Sequence, residues 1–251
     1  MLILVTTPIG NLGDMTPRGI DAMKGADVVL CEDTRVTRKL TTRFGIETRL
    51  FALHDHNEDR MIEGILKRLS EGQTIALVSD AGMPLISDPG YRLVRAAIEA
   101  GHPVTGVPGA NAALMALQLS GLPTDRFLFA GFAPNKTVGR QKFLTEFATV
   151  PATLIFYESP NRLASALNDM AVVFGDRPAS VSRELTKQFE ETRRGTLAEL
   201  AAHYEEAGPP KGEICVCVGA PLPPEPASET DLDDAILAAL ESLSLKEASA
   251  E

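Results

Sequence analysis

The stretch Thr74-Ile75-Ala76-Leu77-Val78-Ser79-Asp80-Ala81-Gly82-Met83-Pro84-Leu85-Ile86-Ser87-Asp88-Pro89-Gly90 decides the fold. Residues 74–79 are an apolar, β-branched run of strand length. Asp88-Pro89 reads as a helix start, because a capping oxygen satisfies a free amide and proline costs nothing at the first helical position. The connection between them is long for a strand-to-helix link, and long ordered loops tend to be functional. Outward from it the same alternation repeats. Strands are predicted at 2–6, 27–31, 49–53 and 103–107, and helices at 16–25, 34–44, 57–71, 89–100 and 109–119. Thr16-Pro17 opens the first helix and Ser159-Pro160 a later one in the same way. Such alternation predicts a largely parallel sheet covered on both faces.

At Ser120-Gly121-Leu122-Pro123-Thr124 the pattern breaks at a turn. A second series follows, with strands near 127–131, 152–157, 178–183, 191–196 and 213–218, and helices near 137–148, 160–174 and 197–206. The chain therefore divides into an N-terminal α/β domain (1–120) and a C-terminal α/β domain (124–219). The Pro-rich segment 220–230 reads as a stiff linker. Over 231–251, Leu232, Ile236, Leu237, Leu240 and Leu243 mark a short amphipathic helix that opens a small helical module, cut short at Glu251.

The formal charge of −10 is unevenly placed. Residues 221–251 carry eight carboxylates and one lysine, a net −7, which leaves −3 on residues 1–220. A near-neutral body can still present a local basic groove to phosphate. No apolar run approaches the ~20 residues of a membrane span. The opening Met1-Leu2-Ile3-Leu4-Val5-Thr6 reads as a strand rather than a signal peptide, which predicts a cytoplasmic protein. Three cysteines fit a reducing compartment. Cys215 and Cys217 share one strand face, as a metal or redox pair or as two small buried hydrophobes.

Four segments leave the C-terminal ends of strands, where open α/β sheets bind ligands. They are Thr7-Pro8-Ile9-Gly10-Asn11-Leu12-Gly13-Asp14, the 78–90 loop, Val107-Pro108-Gly109-Ala110-Asn111-Ala112-Ala113, and Phe156-Tyr157-Glu158-Ser159-Pro160. None is the dinucleotide G-x-G-x-x-G or a P-loop, which disfavours NAD and ATP enzymes of the standard kinds. In this order the four resemble the loops of the tetrapyrrole-methylase superfamily over residues 1 to about 219. Ser79-Asp80 matches that superfamily's Gly-Asp-Pro loop, with Ala81 in place of the proline. Further strings resemble its branch of small-subunit ribosomal RNA methyltransferases: Cys31-Glu32-Asp33-Thr34-Arg35, His56-Asn57-Glu58, Ser79-Asp80-Ala81-Gly82-Met83-Pro84, Tyr157-Glu158-Ser159-Pro160, Arg183-Glu184-Leu185-Thr186-Lys187 and Lys211-Gly212-Glu213.

The resemblance implies a two-domain class III methyltransferase fold, each domain a mixed sheet flanked by helices. It implies a homodimer binding S-adenosyl-L-methionine (SAM) without metal and methylating the ribose 2′-oxygen of a decoding-site cytidine in 16S rRNA of the 30S subunit. Cofactor-cleft positions carried over are Ile9, Val78, Ser79, Asp80, Met83, Asn111, Ala112, Glu158 and Leu185. Such an enzyme mainly aligns a nucleophile with an electrophilic methyl group, and a ribose hydroxyl profits from a nearby base or cation. Asp33, His56, Glu58, Glu184 and Lys187 are the candidates, with His56 closest to neutral in its ordinary pKa. Asn57 would cap the helix after His56, and Asp88 is read as a turn and cap residue. Arg35, Arg38 and Lys39 fall on one helix, as RNA-phosphate contacts or as a solvated face. A same-fold methylase of a tetrapyrrole or other small molecule, and a SAM-binding sensor without turnover, are the alternatives.

Overall fold

Leu2–Val5 (β1) sits between Ile75–Val78 (β4) and Val104–Val107 (β5), and pairs with both in parallel. Val28–Cys31 (β2) and Leu50–Ala52 (β3) complete the sheet in the order β3-β2-β4-β1-β5, again in parallel. An isolated antiparallel bridge, Thr7 to Gly82, continues the sheet beyond β1. The computed structural model describes residues 1–221, so the expected helix over 231–251 and nearly all of the linker lie outside the described residues. Among the described residues no helix is long and apolar enough to cross a membrane.

Strand alternation divides the sheet's side chains between two cores. Ile3, Val5, Val29, Cys31, Ala76 and Val78 pack under Pro17–Gly25 (α1) and Thr34–Phe44 (α2), through Met23 and Leu40. Leu2, Leu30, Ile75 and Leu77 pack on the other face under Glu58–Ser70 (α3) and Tyr91–Glu99 (α4). The neighbouring strands β1 and β4 thus send their chains to opposite faces, and the gap between the departing loops is a topological switch point.

The second sheet has the order β6-β7-β10-β8-β9: Phe127–Phe132, Thr153–Glu158, Ile214–Val218, Pro178–Arg183 and Glu191–Thr196. It is mixed, with β6 parallel to β7 and the other pairs antiparallel. Thr137–Thr145 (α6), Leu163–Phe174 (α7) and Leu197–Ala207 (α8) cover one face through Leu144, Leu167, Met170 and Leu200. The other face is covered by Ala112–Ser120 (α5), whose Ala113, Ala116 and Leu117 pack on Ile155, Cys215 and Cys217. This helix follows the last strand of the first sheet, and Gln118 and Ser120 are its polar side chains besides the cap. Both cysteines are buried and free. Burial pushes both thiols up, Cys217 to about 12, as expected of small hydrophobes.

Each expected strand and helix among the described residues is present, but three helix starts use other chemistry than expected. Thr16 does cap α1 through Gly19 N. Asp88 does not cap α4, which begins at Tyr91 behind Gly90, a residue at φ +117. Its cap comes from α3, where the buried Glu58 accepts from Leu93 N at 2.9 Å and from Arg92 Nε at 3.3 Å. Asn57 does not cap α3. Its side chain instead closes the preceding turn, accepting from His54 N and donating to the Ala52 carbonyl. Ser159-Pro160 opens a 3-10 turn, Pro160–Arg162, and Ser159 makes no side-chain cap.

Candidate functional site

At the switch point Thr7 and Gly82 exchange backbone hydrogen bonds of 2.9 and 3.2 Å. The Thr7 hydroxyl donates to the Ser79 carbonyl. The first loop and the 78–90 loop are thereby held as one ledge. Ser79 Oγ donates to Asp88 Oδ2 and to the Ala81 carbonyl, folding the second loop back on itself. Leu85 and Ser87 stand at φ +73 and +64, and Glu184 and Thr186 across the cleft at +51 and +66. Non-glycine residues in this region cost of order 1–3 kcal/mol each and gather at functional sites.

A cavity of about 450 Å³ opens between the ledge and the second sheet. Of the expected cofactor residues, Ile9, Asp80, Met83, Asn111, Ala112, Glu158 and Leu185 line it. Val78 is on neither cavity wall, its side chain lying in the first sheet's core. Ser79 borders a second cavity of about 230 Å³, whose walls include Thr7, Gly10, Lys39 and Lys187. The two cavities share Ile9, Asp80, Ala81 and Glu213.

Glu158 ends β7 with its carboxylate buried. Oε1 takes hydrogen bonds from Ser159 N at 2.6 Å and Arg162 Nε at 2.7 Å, while Oε2 is buried without a donor among the described residues. Asn111 caps α5 through Leu114 N, and its amide donates to Met83 Sδ at 3.3 Å. Around Asp80 a set of carboxyls is pushed up chiefly by burial, with repulsion from neighbouring acids adding to it. Asp88 feels Asp80, and Glu32 feels both. Asp80 Oδ1 accepts from Asp33 N at 3.1 Å, and burial raises its carboxyl too.

The expected catalytic candidates separate. Asp33 caps α2 through Arg35 N and pairs with the Arg35 guanidinium at 2.6 Å, which holds its carboxyl at about 2. That makes it a poor base. His56 is exposed on a turn and lines neither cavity, and Glu58 is committed to α4. Glu184 and Lys187 do reach the cleft. Lys187 Nζ donates to Glu184 Oε1 at 2.8 Å and to Glu213 Oε2 at 3.0 Å. Burial pulls its ammonium down, but these carboxylates outweigh it and the net shift is upward. Lys39 lines the smaller cavity, while Arg38 is exposed on α2 and Arg35 is tied to Asp33.

Sequence reasoning passed over Asp88, Tyr157, Phe132 and Glu213 as wall residues of the larger cavity. Tyr157 packs edge-on against Phe129 at 4.8 Å, and burial pushes its phenol up to about 12. Tyr157 and Glu213 stand within the quoted strings, whereas nothing in the pattern marked Phe132, an exposed aromatic at the end of β6.

Residues 1–201 match the sequence model of the family described as Tetrapyrrole (Corrin/Porphyrin) Methylases. A ribosomal RNA small subunit methyltransferase I of Mesorhizobium japonicum is 52% identical over 94% of this chain and 80% of its own length. That of Escherichia coli O157:H7 is 49% identical over 86% of this chain and 77% of its own. The chain belongs to the ribosomal RNA small subunit methyltransferase I family. Among solved structures, a diphthine synthase covers 87% of this methyltransferase chain at TM-score 0.66 and 14% identity. The uroporphyrin-III-C-methyltransferase of Thermus thermophilus does so at TM-score 0.60 and 21% identity. These two share the fold.

Proposed function

We propose that the protein transfers a methyl group from SAM to the ribose 2′-oxygen of a decoding-site cytidine in 16S rRNA within the 30S subunit. The observation that carries the cofactor assignment is Glu158 Oε2, a buried acceptor at the wall of the larger cavity with no donor among the described residues. Such an atom fits a ligand that brings a donor and positive charge, as SAM does with its amino group and sulfonium. The volume of about 450 Å³ lies within the range of small-molecule sites. Ile9, Met83, Ala112 and Leu185 would give apolar contact, with Asn111 and Glu158 as its polar partners. When bound, SAM supplies an electrophilic methyl group and needs no metal to do so. The protein's task is alignment and exclusion of water. The rRNA assignment rests on the family and is supported by the lysines of the adjoining cavity and the basic face of α2, with Arg35 and Arg38 at its outer edge. The same reading has segments 1–120 and 124–219 acting as two domains of a cytoplasmic homodimer.

Mass spectrometry of 16S rRNA from cells with and without the gene tests the activity, and loss of one 2′-O-methyl cytidine is expected. An unchanged modification pattern would overturn it. Calorimetry with S-adenosylhomocysteine in EDTA tests the cofactor, and absent binding would remove it. Light scattering showing the mass of one chain would remove the dimer.

A further inference from the structure

We propose that the smaller cavity receives the acceptor ribose with its phosphate, held by Lys39 and Lys187, and that Asp80 is the base for the ribose hydroxyl. The proposal rests on the methyl-transfer reading and adds to it the site and the proton acceptor. A methyl acceptor must meet the donor where their pockets join, and the two cavities join along Ile9, Asp80, Ala81 and Glu213. Asp80 and Glu213 are the ionisable side chains on that wall. Glu213 is largely exposed and ion-paired to Lys187. Asp80 is half-buried and paired with no cation among the described residues. The Asp33 amide fixes its Oδ1, which leaves Oδ2 without a donor among those residues.

Elimination points the same way. Asp33, His56 and Glu58 are engaged or distant, as described above. Lys187 holds its proton between Glu184 and Glu213 and suits an anion rather than a hydroxyl proton. Lys39 stands on the same cavity from α2. The pocket carries the unpaired carboxylate of Asp80, the Lys39 ammonium, which has no ion pair among the described residues, and the Lys187–Glu213 pair, a set that matches a hydroxyl beside a phosphate. In the step itself the hydroxyl proton passes to Asp80 Oδ2 while the oxygen's electron pair forms the bond to the sulfonium's methyl carbon. The C–S pair stays on sulfur, and Asp80 later releases its proton to water. Asp80 faces Asp33 at the α2 cap, Glu32 and Cys31 at the end of β2, and Asp88 in its own loop. Lys39, Lys187 and Glu213 stand around the smaller cavity. Partial burial first, and repulsion from Asp33 after it, raise its carboxyl, which improves it as a base near neutral pH.

Three measurements test this. In the first, S-adenosylhomocysteine-bound protein labelled with 13C at aspartate carboxyls is titrated with cytidine 3′-monophosphate and with its 2′-deoxy counterpart. The Asp80 signal, assigned with Asp80→Asn, should move with the ribonucleotide and not with the deoxynucleotide. Equal shifts, or none, would overturn the assignment. In the second, Asp80→Asn should lower kcat on 30S subunits by about 100-fold or more. It should also abolish the acid limb of the pH profile and leave S-adenosylhomocysteine affinity within a few-fold. Retained turnover and limb, or a loss explained by cofactor affinity, would return Asp80 to a binding role. A wild-type protein that fails to methylate 30S subunits would instead sink the function reading itself. Lys39→Gln should raise the KM for 30S subunits without changing cofactor affinity, and an unchanged KM removes Lys39 from the pocket.

Discussion

Lys187 lies across Gly10, where a β-carbon on the glycine would overlap Cγ, Cδ and Cε of the lysine. The stem of a residue from the loop after β8 therefore crosses onto the loop after β1, and Gly10, at φ +150, is the residue type that permits it. The same device recurs nearby, where Gly212 at φ +100 lies under the Glu184 side chain. Two glycines thus seat the two ends of one ion pair.

Gly10→Ala should destabilise the protein by about 1–3 kcal/mol, from backbone strain and displacement of Lys187. Adding Lys187→Ala should restore the steric part only. Urea denaturation of the single and double variants measures this, and additive losses would show that the two residues do not touch.

Glu58→Ala should cost about 1–2 kcal/mol, the usual value of a lost helix cap, while methyl transfer per folded molecule persists. His56→Ala, on an exposed turn, should stay within about 0.5 kcal/mol of wild type with unchanged activity. Thermal melts alongside single-turnover assays distinguish the two. A His56→Ala enzyme that folds but is inactive would restore His56 to the chemistry.

Glu158→Gln keeps the shape of the larger cavity's wall and removes its charge. Hydrogen bonds to charged groups contribute about 1.5–3 kcal/mol, so S-adenosylhomocysteine should bind roughly 10- to 150-fold more weakly by calorimetry. Undiminished binding would mean that Oε2 does not meet the ligand.

Stability should respond to acid in two phases of opposite sign. Glu32, Asp80 and Asp88 have carboxyls raised by folding, so the folded state binds protons more readily there. Stability rises as pH falls through their folded values toward the ordinary carboxylate range. Glu184 and Glu191 are lowered, chiefly by hydrogen bonds from Lys187 and Arg183. Their contribution is complete above the ordinary range and is lost as pH falls below it. Denaturation midpoints should therefore pass through a shallow maximum in mild acid before dropping. Asp88→Asn should flatten the rise, and a monotonic decline from neutrality in wild type would contradict the assignment.

The strands and helices were legible in the sequence because their periodicity is local, whereas Asn111 was placed by the family resemblance and its cap on α5 emerged only in the structure. Asp88 misled for a physical reason. An aspartate before Pro89 carries every local sign of a cap, but Glu58, distant in sequence, supplies that hydrogen bond and frees Asp88 for the cleft. Asn57 misled in the same way, since its turn outcompeted its helix. The pairing of Lys187 with Gly10, and Phe132 at the cavity mouth, depend on how the second sheet meets the first loops, which no local pattern encodes.

The cysteine pair under α5 has a practical consequence. Cys217 is fully buried beneath α5 and its thiol is pushed up to about 12, so it presents no thiolate to solvent while α5 stays on the second sheet. Alkylation of Cys217 must wait for that helix to lift, whereas Cys215 stands on the wall of the larger cavity. The Cys217 labelling rate is then a clock for the opening of the seam between the two halves. The protein carries its own chemical stopwatch for that opening.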